Sequence, residues 1–111
     1  MRTYKLHLIR HGMTEGNENG QYIGHTDLKI TTNGIIELEN LKNEGIYPKC
    51  DLVFSSPLSR AVDTAKIIYP DKEILINHNF KEIDFGEFEG KTPNDLKDRQ
   101  DYADWLAGKL P

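Results

Sequence analysis

The order of apolar runs and capped helical patterns predicts an α/β fold built on a parallel sheet. Short apolar runs, "TYKLHLI", "DLVFSS" and "EILIN", alternate with longer segments of helical periodicity. Each helical segment opens on a capping signal. A polar, glycine-containing or serine-rich stretch follows each run, and parallel α/β sheets bind ligands outside the carboxyl ends of their strands.

The first run places Leu6 and Leu8 on one face and His7 and Ile9 on the other. From Arg10 to about Ile30 the chain is rich in Gly, Asn and Thr, with no periodic pattern. Loops longer than about 12–15 residues are uncommon in compact domains and are usually functional or disordered, so this one is a candidate site. "TTNGIIELENLKNEG" reads as a helix capped by Thr31 or Thr32, with Ile35, Leu38 and Leu41 facing inward and Gly45 at its exit. "DLVFSS" is apolar enough to be a strand buried on both faces. "PLSRAVDTAKIIYP" predicts a helix with Pro57 in its first turn and its end before Pro70; Ala61 and Ala65 allow close packing on a sheet. "EILIN" is the third strand. After "HNFKEIDFGEFEGK", Thr92 and Pro93 open a last helix that carries Leu96, Tyr102, Trp105 and Leu106.

The chain has 111 residues, of which 29% are charged and 37% hydrophobic, the balance of a single soluble globular domain. No apolar run approaches the roughly 20 residues of a membrane span. Lys5 and His7 interrupt the N-terminal apolar stretch, which does not read as a signal peptide. Cys50 is the only cysteine, so no internal disulfide forms and a reducing cytoplasm is expected; the residue reads as a small, buried or half-buried side chain. The net charge of −4, with no basic cluster, argues against nucleic acid or an anionic membrane as partner. A pocket for a small anion needs only two or three local cations.

Three polar segments converge after the three strands, carrying Arg10 and His11, then Arg60, then Glu82. Singly, each has a plainer reading: a solvated strand end, a helix-surface cation paired with Asp63 or Asp51, one acid among several in an exposed loop. Together they match phosphoryl transfer to histidine. A neutral imidazole attacks, and nearby guanidinium charge disfavours the imidazolium. The planar forks of Arg10 and Arg60 match phosphate oxygens. Asn17 and Thr14 add neutral donors, and backbone N–H groups near Gly12 approach closely for want of a Cβ. The leaving alkoxide needs a proton, which Glu82 supplies once burial and a bound dianion favour its protonated form. Rival chemistries find less support. There is no P-loop and no G-x-G-x-x-G after a strand. His7 and His11 lie on a strand with no third metal ligand evident, and Ser55, Ser56 and Ser59 lack a G-x-S-x-G context.

"LIRHGMTEGN", "GHTDLKITTNG", "VFSSPLSRAVDTA" and "KEIDFGEFEG", in that order, resemble the successive blocks of the histidine phosphatase superfamily, the phosphoglycerate mutase-like proteins. The resemblance spans residues 4 to about 91 and, more loosely, the helix to Leu106. It implies a three-layer fold with a parallel sheet, here incomplete at the C-terminus. It makes His11 the phosphohistidine, Arg10 and Arg60 the phosphoryl-binding cations and Glu82 the proton donor. It sets Asn17 against phosphate, makes the Gly24–Asp27 segment, with Ile23 before it, the substrate entrance, leaves His25 there either touching substrate or solvated, and requires neither metal nor cofactor. His7 and His78 stay structural.

Mutases of the family carry Arg and His directly after the glutamate, where this chain has Ile83 and Asp84. Asp84 would repel a second phosphate, so hydrolysis of a small phosphorylated metabolite is expected, and "GHTDLKIT" and "FGEFEGKTPNDL" look most like α-ribazole phosphatases. The alternatives are mutase-type transfer and a non-catalytic phosphate-binding or interaction module. The resemblance also implies a second catalytic histidine and a strand beside "YKLHLI", neither of which occurs before Pro111. Weak or no turnover by the isolated chain is therefore expected, with self-association through an unpaired sheet edge.

Overall fold

A computed structural model describes residues 3–108. The end of the last predicted segment, from Lys109 to Pro111, lies outside them. The elements in chain order are α1 (Glu15–Glu18), α2 (Thr32–Asn43), β1 (Val53–Ser55), α3 (Ser59–Ile68), β2 (Ile74–Ile76), α4 (Pro93–Leu96) and α5 (Gln100–Leu106), with 3₁₀ turns at His78–Phe80 and Gly86–Phe88. The strands β1 and β2 pair in parallel, Val53 opposite Ile74, and α3 is the crossover between them. The helix α3 packs on both strands and on α2. The expected α/β architecture with a parallel sheet is present.

The capping signals set most boundaries. The Thr31 hydroxyl accepts from the Gly34 amide at 3.0 Å and starts α2, and Gly45 follows that helix with φ of +74°, a conformation glycine adopts without strain. At Gly34 the first turn of α2 lies so close to Met13 that a Cβ would strike the Met13 carbonyl. That contact is tied by the Thr31 amide, which donates to the same carbonyl at 2.9 Å. Inside α2 only Leu38 of the predicted stripe is fully buried; Leu41 is half-buried and Ile35 is exposed.

Four expectations are revised. The "TYKLHLI" segment forms no strand: residues 3–13 carry no regular secondary structure, and Tyr4, Leu6 and Leu8 are 84%, 85% and 89% exposed. Alternating leucines stabilise a strand only when a neighbour pairs its backbone and an apolar layer covers one face, and among the described residues neither is supplied here. The strand β1 is buried on one face only. Val53 and Ser55 point inward, while Phe54 is 53% exposed and meets the ring of Phe80 edge-on at 6.2 Å. The long loop after Arg10 contains α1, whose Thr14 and Asn17 form a reciprocal capping box. The last helix is broken into α4 and α5 at Arg99, which is extended. Its guanidinium turns back to bind Asp101 and Glu87 and to stack over Phe88 at 5.5 Å.

Two small cores result. Ile30, Leu38 and Ile68 meet between α2 and α3, with Tyr47, Ile67 and Tyr69 around them. Phe88, Leu96 and Tyr102 form a second core, enclosed by Tyr22, Phe85 and Trp105 in mostly edge-on and tilted aromatic contacts. The radius of gyration, 16.5 Å, exceeds the roughly 13 Å of a compact domain of this length. The described residues are thus spread around two centres rather than one. Among them, no helix is long and apolar enough to cross a membrane.

The second core depends on the start of α4, where the Thr92 amide donates to Asp95 and the Asp95 amide to the Thr92 hydroxyl. The bonds from Thr92 hold the Asp95 carboxyl below the ordinary aspartate range, with Lys91 assisting. A lowered folded-state value means stability present above the unfolded value, about 3.9, and lost as pH falls through the folded one. Acidification from pH 5 to pH 2 is expected to loosen α4 and change the emission of Trp105, the only tryptophan. In Asp95→Asn that part of the acid transition should be absent.

Candidate active site

The segment after Arg10 is fixed to α3 by a buried relay. The Gly12 amide donates to the Thr64 hydroxyl at 2.8 Å, and that hydroxyl donates to the Arg60 carbonyl at 2.6 Å. Arg60 and Thr64 lie one turn apart on the inward face of α3, so one helix face positions both His11 and the Arg60 side chain. The His11 ring reinforces its own placement. Its Nδ1 lies 2.7 Å from the Gly12 carbonyl, which can only accept, so Nδ1 carries the proton and Nε2 presents the reactive lone pair.

Nε2 lies 3.1 Å from the Glu82 carboxylate, and the same Glu82 oxygen is 3.5 Å from an Arg60 nitrogen. An imidazole, a carboxylate and a guanidinium from three separate segments therefore meet at one point. With Nδ1–H committed to Gly12, the His11–Glu82 contact requires one shared proton: a carboxyl donates to the imidazole, or an imidazolium to the carboxylate. The Glu82 side chain is 48% exposed, so the burial expected to favour its protonation is not there.

Arg60 is 1% exposed, a buried cation rather than a helix-surface one. Its fork is turned onto backbone carbonyls, donating to Thr26 at 2.7 Å and to Gly24 at 2.5 Å. The segment 24–26 therefore shapes Arg60 before any substrate does. Its amides point the other way, to Glu89. That carboxylate accepts from the amides of Gly24, Thr26 and Phe85 and from the Thr26 hydroxyl, all at 2.7–3.0 Å. Burial alone would raise the Glu89 carboxyl, but these donors outweigh it and hold the group below the ordinary glutamate range. A Cβ at position 24 would overlap the Ile83 carbonyl, so only glycine lets the loop lie against the segment that carries Glu82. Asp27 then caps α3 from outside, accepting from the Ser59 amide at 2.7 Å and from its hydroxyl at 3.2 Å, since Leu58 provides no capping side chain.

The remaining sequence-predicted residues stand differently. Arg10 is exposed and makes no hydrogen bond or ion pair among the described residues. Thr14 is fully buried, and its hydroxyl donates to the Asn17 side-chain oxygen at 3.1 Å. It is spent on capping α1 and not on an anion. Asn17 is half-buried, its oxygen committed to Thr14. Ile23 packs where a Cβ on Gly16 would sit, closing α1 against the loop. His25 is exposed and faces Asp84 at 3.7 Å. Among the described residues no three His, Cys, Asp or Glu side chains gather as a metal site. Cys50 is half-buried and unpaired.

Glu89 and Thr64 were not singled out in the sequence, and Asp27, expected only as part of the substrate entrance, was not expected to cap α3. A helix whose N-cap position is a leucine signals that an acid from elsewhere must serve it, and an acid between glycines in "GEFEG" signals a tight turn with amides to satisfy. Neither signal names the partner, which lies 32 residues away for Asp27 and up to 65 for Glu89.

Residues 6–110 match the model of the histidine phosphatase superfamily (branch 1). The adenosylcobalamin/alpha-ribazole phosphatase of Escherichia coli is 34% identical over 105 residues, covering 91% of this chain and 52% of that protein. A 2,3-bisphosphoglycerate-dependent phosphoglycerate mutase of Bifidobacterium longum is 33% identical over 111 residues, with 92% and 44% covered. The crystal structure of a phosphoserine phosphatase from Entamoeba histolytica, in complex with 3-phosphoglyceric acid, superposes with a TM-score of 0.79 at 39% identity, covering 91% of this chain and 52% of that one. The chain spans about half the length of the relatives it matches. With the family match running through His11, Arg60 and Glu82, and the fold shared at that identity, the chain belongs to the histidine phosphatase superfamily.

Proposed function

We propose that this chain carries the nucleophilic half of a metal-independent phosphomonoesterase. The observation that carries the reading is the Glu82 oxygen lying 3.1 Å from His11 Nε2 and 3.5 Å from Arg60. A phosphoryl oxygen is a second anion for the same cation, and the phosphorus beside it would face the Nε2 lone pair. His11 attacks, the P–O bond to the leaving alkoxide breaks, and a protonated Glu82 gives that oxygen its proton. Water then cleaves the phosphohistidine. Arg60 holds the anion, and Asn17 and Arg10 complete its surroundings once substrate is bound.

Hydrolysis is favoured over mutase-type transfer by Ile83 and Asp84. Asp84 is exposed next to His25 and brings negative charge to the side from which a second phosphate would approach. The substrate is a small phosphorylated metabolite, in the class of the α-ribazole phosphatases, and a lone cysteine is in keeping with a reducing cytoplasm. The 111-residue chain alone forms the phosphohistidine but turns it over slowly.

Self-association follows from the open sheet. The edge expected beside "YKLHLI" is not formed, since that segment is no strand. Instead, Leu52, Phe54 and Phe80 are 65%, 53% and 54% exposed on or near the uncovered face of the sheet, and exposed apolar patches mark association sites. Sedimentation velocity is expected to show a concentration-dependent dimer that Phe54→Glu weakens. A monomer at all concentrations would remove this part of the reading.

Two experiments address the chemistry. Incubation with a labelled aryl phosphate should leave an acid-labile phosphoryl group on the wild-type chain and none on His11→Ala; equal labelling of both would overturn the assignment. Replacing Glu82 by Gln should slow alkyl phosphate cleavage by about 10²–10⁴-fold while leaving aryl phosphates, whose leaving groups need no proton, far less affected. Equal losses on both substrates would exclude Glu82 as the acid.

A further inference from the structure

We infer that Glu89 is a positioning residue for the phosphate-binding cation, acting on Arg60 through the intervening peptide units without touching it. The inference rests on the proposal that Arg60 binds the phosphoryl group. It starts from two sets of bonds on one stretch of backbone. The carbonyls of Gly24 and Thr26 accept from the Arg60 guanidinium, and the amides of the same two residues donate to Glu89. The C=O dipoles thus point at the cation and the N–H dipoles at the anion, an ion pair bridged by backbone.

This arrangement determines where Arg60 can be. A guanidinium 1% exposed must find acceptors on the protein, and two of those found are the carbonyls of a loop with no helix or sheet ladder to hold it. Asp27 ties the far end of the loop to Ser59, and Tyr22 exchanges backbone bonds with Gly90 and Lys91. Between them the amides of Gly24 and Thr26 are held by Glu89, joined by the packing of Gly24 against the Ile83 carbonyl. Glu89 also binds the Phe85 amide, so one carboxylate ties the loop to the turn that follows Glu82. The segment after Glu82 and the loop against Arg60 consequently share Glu89 as a common anchor.

The charge and symmetry of a carboxylate are what the position uses. All of the donors it meets are N–H or O–H groups. A glutamine has nearly the same shape, yet its NH₂ must face either the Phe85 amide on one side or the Thr26 groups on the other. One donor is then opposed by another donor, and the loop shifts.

The test uses the 111-residue chain, isotopically labelled, with inorganic phosphate as the probe. In the wild type the Arg60 guanidinium protons and the Gly24 and Thr26 amide protons should exchange slowly. In Glu89→Gln they should exchange faster, and phosphate should bind about 10-fold more weakly, the equivalent of one unsatisfied buried donor. Trp105 emission, which reports the neighbouring core, should stay unchanged. Unaltered Arg60 exchange and phosphate affinity in the variant would overturn the inference. Should phosphate fail to bind the wild type, the function proposed for Arg60 fails, while guanidinium exchange still decides whether Glu89 positions it. If Glu89→Gln unfolds the core, Thr26→Val replaces it. That variant removes one donor to Glu89, and a smaller change in the same direction supports the inference, whereas no change overturns it.

Discussion

Arg60 and Glu89 make no contact with each other, yet the peptide units from Gly24 to Thr26 are gripped by both. The remainder of the site is arranged around that grip. A buried guanidinium is costly unless its donors are met. Here they are met mainly by carbonyls, so the charge is retained and not neutralised by a direct carboxylate partner. Glu82 approaches only at the edge, at 3.5 Å. A cation solvated by backbone keeps its attraction for an incoming anion, which a tight Arg–carboxylate pair would largely have cancelled.

Much of the fold could be read from local chemistry. Thr31 and Thr92 cap helices where the sequence places them, since capping depends on residues within one turn. The alternation of "DLVFSS", a helix and "EILIN" yields the parallel pair because a crossover helix is part of the same stretch of chain. The first run is the informative failure. Leu6 and Leu8 alternate as a strand should, but alternation describes a surface waiting for a layer, and pairing is a property of two segments. Phe54 fails in the same way: an apolar residue in a strand says that a face needs covering and leaves open whether anything covers it.

The site divides along the same line. Arg60 and Glu82 were legible because each follows a strand of the parallel pair; His11 stands beside them although its own run forms no strand, held instead through the Gly12–Thr64–Arg60 relay. Thr14 was misread. A small hydroxyl beside a candidate nucleophile looks like a ligand-binding group, but a Thr three residues before an Asn is also a helix cap, and the buried capping role is the one it performs. Glu89, Thr64 and the capping role of Asp27 were silent because their meaning lies in backbone amides far along the chain, which no side-chain pattern announces.

The separation into two cores has a mechanical consequence. The clusters around Leu38 and around Leu96 share no residue, so each is able to open as its own cooperative unit. His11, Thr64 and Arg60 belong to the side of the first, and their relay is closed within it. Glu89 follows Phe88 of the second. Loosening of the aromatic side would free the loop's amides and slacken the placement of the guanidinium, while His11 stayed in place. His11 is thus joined to one cluster, and the carboxylate that holds the loop beside Arg60 to the other.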